Sequence, residues 1–210
     1  MTPAAEFPGF LSWLAQQRIC KPAMRFAGGR DSILDAGEAC PSAEWLLWAV
    51  QESGFRDAAA ARKFSLACLD RIRDLLVQPG QREAVAILES IAAGNEPESA
   101  IATAEAWAAA ASDRLTESIR WTVSAGAAAA ALRHATAPGA WLAAAEVRTL
   151  TVRAVAWNPW DPATAEDTDR ELAGPLKDAL RPHAGRIVTA IRMRLAEMAR
   201  LPPAEPCEGC

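Results

Sequence analysis

Apolar residues recur along the chain at intervals of three and four, and each run ends at Pro, Gly or a short polar residue. That period puts the apolar positions on one face of a helix, whereas a half-buried strand would alternate every second residue. Read this way, punctuation divides the chain into about nine short helices. The first covers residues 8–19 with Phe10, Leu11, Trp13 and Leu14, and a short one follows over 22–27, closed by Gly28-Gly29. Asp31 is positioned to cap a helix with Ile33, Leu34 and Ala39, and Cys40-Pro41-Ser42 closes it and opens 43–52, where Trp45, Leu46, Trp48 and Ala49 share a side.

Asp57 offers an N-cap for a long amphipathic helix to about residue 77, and Pro79-Gly80 predicts a break. A helix over 82–93 stops at Gly94-Asn95, Pro97 opens another to about 111, and Ser112 and Asp113 are placed to cap the next. That segment contains the small-residue stretch 126–131, which allows two helix axes to approach closely. The helix over 140–157 carries apolar side chains on more than one stripe, as a central helix does. After the turn Asn158-Pro159-Trp160-Asp161-Pro162, a helix from about 163 has the acidic opening Glu166, Asp167 and Asp169, with Gly174-Pro175 expected to kink or split it. A last helix spans 182–201. Connectors of no more than about eight residues predict an all-α, compact multi-helix bundle: a single helical domain over 1–201 and a flexible Pro- and Cys-containing tail over 202–210.

Composition sharpens this. Alanine fills 49 of 210 positions and tyrosine none, favouring helix over strand. A net charge of -4 provides no basic field for a phosphate backbone, so nucleic acid is not an expected partner. The longest uncharged runs, 121–132 and 134–145, are about a dozen residues against the roughly 20 that span a bilayer, so no membrane association is expected. The first residues lack the pattern of a secretory signal, which predicts a cytoplasmic protein with reduced thiols. Cys20, Cys40 and Cys68 lie in or beside helical patterns and are expected to behave as small buried apolar residues.

Residues 20–50, CKPAMRFAGGRDSILDAGEACPSAEWLLWAV, combine a Cys before a short helix, an acidic helix ending Ala-Cys, a polar pair and the run Trp-Leu-Leu-Trp. Residues 66–107, LACLDRIRDLLVQPGQREAVAILESIAAGNEPESAIATAEAW, add an Arg-Glu-Ala helix followed by an Ala-rich one. The two stretches, under half the chain, resemble immunity proteins of the Imm5-like kind and related bacterial and phage helical proteins. Gly80-Gln81-Arg82 stands where that group is expected to have a paired Pro-Arg. The resemblance implies a binding partner, in some cases one that neutralises a toxin, and implies no catalytic residues.

Little else in the chain points to chemistry. His134 and His183 have no second His or Cys at helical metal spacing, and no phosphate-binding loop or nucleophile elbow is present. The carboxylates Glu166, Asp167, Asp169 and Glu171 look like the exposed start of a helix, pointing in different directions. The tail's Cys207 and Cys210 form a Cys-x-x-Cys that could close a disulfide or give two thiolates to a metal, half of a tetrahedral zinc site, with further ligands from another chain or from Cys20, Cys40 or Cys68. Of the eight tryptophans, Trp45 with Trp48 and Trp157 with Trp160 are the expected partner-binding anchors, because Trp is enriched among interface hot spots. The expected function is a non-catalytic protein-binding module, an immunity or adaptor protein that occludes a partner's surface, with no cofactor. The alternative is a thiol- or metal-dependent protein acting through Cys207 and Cys210, and a third, an enzyme with an inter-helix pocket, has no residue to nominate.

Overall fold

The computed structural model describes residues 3–17, 19–116, 123–137, 140–156, 162–198 and 200. Among these, eleven α-helices and three short 3-10 turns form an all-helical bundle with no strand. The helices are α1 (Pro3–Gln16), α2 (Lys21–Gly28), α3 (Ile33–Ala39), α4 (Ala43–Ser53), α5 (Ala58–Arg71), α6 (Pro79–Ala92), α7 (Ile101–Thr116), α8 (Val123–Thr136), α9 (Ala140–Val155), α10 (Pro162–Leu180) and α11 (Ala184–Met198). None is long and apolar enough to cross a membrane.

Local chemistry explains most of the boundaries. Ser42 opens α4 by accepting a hydrogen bond from the Trp45 N–H at 3.2 Å, and Asp57 opens α5 by accepting from Ala60 N–H at 3.0 Å. Gly54 and Gly94, with φ of +73° and +76°, end α4 and follow α6 in the left-handed conformation that favours glycine. The structure moves several other boundaries. Ser32, not Asp31, caps α3, accepting from Asp35 N–H at 3.1 Å. Helix α1 starts at Pro3 with Pro8 inside it, and α5 stops at Arg71, giving way to a 3-10 turn over Arg73–Leu75. Pro79 begins α6 instead of breaking a helix, since its missing N–H is an orphan at the first helical position anyway.

Two internal signals fail because packing overrides them. Helix α7 continues through Ser112 and Asp113, carried by the buried ridge Ala104, Ala108 and Ala111. Helix α10 runs through Gly174-Pro175, where Leu172, Ala173, Leu176, Ala179 and Leu180 are all buried on one face.

Helix α9 is central, packing against α4, α5, α8 and α10, while α6, α7 and α8 extend the bundle on one side. Alanine lets these axes come close: Ala104, Ala128, Ala131 and Ala144 are completely buried. At the α6–α7 crossing a Cβ on Gly80 would lie 3.2 Å from the Trp107 ring and 3.3 Å from its carbonyl oxygen. On the other side α1, α2, α3 and α11 form a second layer around Phe10, Trp13, Leu14, Ile33, Ile191 and Leu195. Its α11 rests on α4.

Candidate functional site

The least exposed ion pair among the described residues lies where α4, α9 and α10 meet. Asp169 of α10 accepts the Ser42 hydroxyl at 2.6 Å, the Glu44 backbone N–H at 3.1 Å and the Arg148 Nε at 2.8 Å. The Arg148 guanidinium also lies 2.7 Å from the same carboxylate and 3.2 Å from Glu44. Both Arg148 and Asp169 side chains are 12% exposed. The expectation that the opening of α10 presents only exposed carboxylates is therefore corrected at Asp169, which turns inward while Glu166 and Asp167 remain exposed. A signal was available: positions 169, 172, 173, 176 and 180 share one helical face, and the other four are apolar. With every partner satisfied, this node is a clamp holding three helices together and not a reactive centre.

A concave, apolar surface lies beside it. Helices α1–α4, α10 and α11 leave a half-open cleft of about 130 Å³. Its walls include Phe10, Phe26, Trp45, Trp48, Ile187 and Ile191. Tilted ring pairs brace them: Phe26 with Trp45 at 6.0 Å and Trp13 with Trp48 at 5.6 Å between centroids. Leu34, on the same wall, is 51% exposed to solvent. The cleft borders the short helices α2 and α3, of 8 and 7 residues, whose buried side chains Ala23, Ala27, Ile33 and Ala36 leave space between Phe10 of α1 and Trp45 and Trp48 of α4.

The charged groups at the cleft are few. Lys177 and Arg181 of α10 and the turn after it, and Glu38 of α3, are the ionisable lining residues apart from Cys40. Arg181 is engaged by Asp178 at 3.0 Å, whereas Lys177 is partly buried and has no ion pair or hydrogen bond among the described residues. Arg30 lies over the Phe26 ring, 4.4 Å from its centroid, with its Nε buried and without a hydrogen-bond partner among the described residues. Cys40 is buried against this edge, its Sγ donating to the Ser42 carbonyl at 3.4 Å. Burial pushes the Cys40 thiol up from its ordinary value, with Lys177 and Arg30 pulling it the other way.

Of the residues nominated from sequence, Trp45 and Trp48 are brought together, half-buried, in the walls of the cleft. Trp157, Trp160, Cys207 and Cys210 lie outside the described residues. Cys40 and Cys68 are buried, and desolvation raises the Cys68 thiol far above its ordinary value, so neither is presented to a metal at the surface. Cys20 is exposed, correcting its expected burial: it sits just before α2 with its side chain outside the core. No group of three or more metal-ligating side chains occurs among the described residues. His183 lies 3.7 Å from Asp57 with its ring 5.7 Å from Phe55, and His134 lines a half-open recess of about 300 Å³ between α7 and α8, beside Glu105 and Arg133. The cleft itself was missed from sequence, although Phe26 of α2 and Trp45 and Trp48 of α4 were visible as large aromatics. No family model, curated protein or solved structure matches the chain.

Proposed function

We propose that the chain is a non-catalytic protein-binding module of the immunity or adaptor kind, which occludes a partner's surface by taking one of its apolar side chains into the cleft. The observation that carries this reading is the half-open cleft walled by Trp45, Trp48, Phe26 and Phe10, with Leu34 half-exposed at its wall. Concave apolar pockets with aromatic walls are where binding energy concentrates, because a bulky side chain entering them is removed from water at about 25 cal/mol per Å². Residues 20–50, the stretch that resembles immunity proteins, supply α2, α3 and most of α4, one whole wall of this cleft.

The test uses the immobilised full chain and host lysate, comparing the wild type with Leu34→Arg, a change at an exposed position that leaves the core intact. The reading expects a protein retained reproducibly by the wild type and lost from the variant. Recovery of the bait alone, or equal retention by both, overturns it.

A further inference from the structure

The chemistry of the group entering the cleft is written in its unmatched charges. Lys177 is partly buried and unpaired among the described residues, and a half-desolvated ammonium is stabilised when an anion approaches. Arg30, whose buried Nε also lacks a hydrogen-bond partner, stacks on Phe26, itself a wall of the cleft. Lys177 lines the cleft together with Cys40, and Arg30 reaches it through the Phe26 ring. The nearby carboxylates do not answer them. Asp169 is fully engaged by Ser42, Glu44 and Arg148, Asp178 holds Arg181, and Glu38 is solvent-exposed with no ion pair among the described residues.

The size of the space sets the other half of the requirement. A volume of about 130 Å³ is close to that of an apolar cavity known to take one benzene ring. We infer that the cleft recognises a single ring-sized or branched apolar group carrying a carboxylate beside it, the apolar part lying between Phe26, Trp45 and Trp48 and the carboxylate meeting Lys177. On a protein partner this is a bulky apolar side chain next to an acidic residue. The inference rests on the protein-binding reading above and adds the charge that reading leaves open. Its physical content is a charge-assisted contact at a partly dry site, stronger than the same contact in water.

The probes are N-acetylphenylalanine and its uncharged amide, titrated into the full chain while the indole N–H resonances of Trp45 and Trp48 are followed by NMR. The acid is expected to shift both indoles and to bind about tenfold more tightly than the amide, with the difference abolished in Lys177→Ala. Equal binding of acid and amide overturns the inference while leaving the cleft as an apolar docking site. A preference for the acid that survives in Lys177→Ala also overturns it, since the charge contact would then lie elsewhere. If neither compound moves the indoles, the inference fails too, and the Leu34→Arg comparison alone then decides the protein-binding reading.

Discussion

The two layers of this molecule are built from different side chains, and the apolar, aromatic-walled cleft lies at the edge of only the second. In the larger core, helices α4–α10 meet through many alanines interleaved with large residues: Ala104, Ala128, Ala131 and Ala144 are completely buried, and Phe64, Leu88, Leu132 and Leu176 fill the spaces between. Small side chains let neighbouring axes approach until backbone meets side chain, as at Gly80 and Trp107, and the packing leaves little to rearrange. The layer of α1–α3 and α11 packs around Phe10 and Trp13 of the 14-residue α1 and branched aliphatics, with Trp48 of α4 against them. The small buried side chains of the short helices α2 and α3, Ala23, Ala27, Ile33 and Ala36, do not fill the space between these rings, and the remaining space is the cleft. Alanine draws the helix axes of one half together and leaves its recess between α7 and α8 to polar side chains, whereas the opening in the other half is walled by large apolar rings.

The same truncation made on both sides measures this contrast most strongly. Phe64→Ala, at a position with no exposure in α5, is expected to cost about 5 kcal/mol, the upper end for such a change, because its surroundings cannot collapse. Phe10→Ala, 5% exposed in the cleft wall, is expected to cost about 3 kcal/mol, since the space it vacates joins one already open. Urea unfolding of both variants checks the order, and equal losses would erase the distinction between the layers.

Next in size is the clamp behind the cleft. Asp169→Ala leaves Arg148 buried without its main partner and is expected to cost about 3–5 kcal/mol, with a smaller loss for Asp169→Asn, which keeps an acceptor for the Ser42 hydroxyl. A loss below about 1 kcal/mol for the alanine variant, by the same unfolding measurement, would mark the pair as dispensable.

Gly80→Ala tests the close approach of α6 and α7. The new Cβ would press on the Trp107 carbonyl at 3.3 Å, backbone that cannot swing away, so a cost of about 1–3 kcal/mol is expected in place of the usual gain from removing a helical glycine. A raised melting temperature would show that these helices separate easily.

A smaller effect distinguishes the entrance to α5. The Ala60 N–H beside Asp57 holds its carboxyl below the usual range, with His183 and Arg186 adding to the effect and burial opposing it. A depressed folded pKa means that the stabilisation is complete above the unfolded value near 4 and is lost as pH falls through the folded value. Asp57→Ala is expected to cost about 1 kcal/mol at pH 7 and to flatten the fall in stability below about pH 4. A variant whose acid limb matched the wild type would refute that assignment.

These contrasts also show what was legible in the residues beforehand. The all-helical bundle, the capping of α5 by Asp57, the stop at Gly94 and the small-residue face of α8 follow from local chemistry that acts within a few residues of its own position. Ser112, Asp113, Gly174 and Pro175 misled because each is a local stop signal overruled by a buried face that continues past it. Asp169 was hidden among Glu166, Asp167 and Glu171: composition marks the cluster as solvated, and only the apolar periodicity that follows singles out the one carboxylate turned inward. The cleft was the hardest to foresee, since a void depends on how six separate helices fail to fill a space. Sequence singled out Trp45 and Trp48, which line the cleft, but not Lys177, whose lack of an ion pair among the described residues is a property of the folded neighbourhood.

Gly37 provides the cleanest probe of the account as a whole. It lines the cleft from α3, and a Cβ built there meets nothing within 4 Å, so Gly37→Phe fills the space from its wall without disturbing the core and with a stability change within about 1 kcal/mol. The decisive measurement is the affinity of this variant, relative to wild type, for the protein retained by the immobilised chain. The account predicts a fall of about a hundredfold with an unchanged melting temperature; an affinity equal to that of the wild type would contradict it.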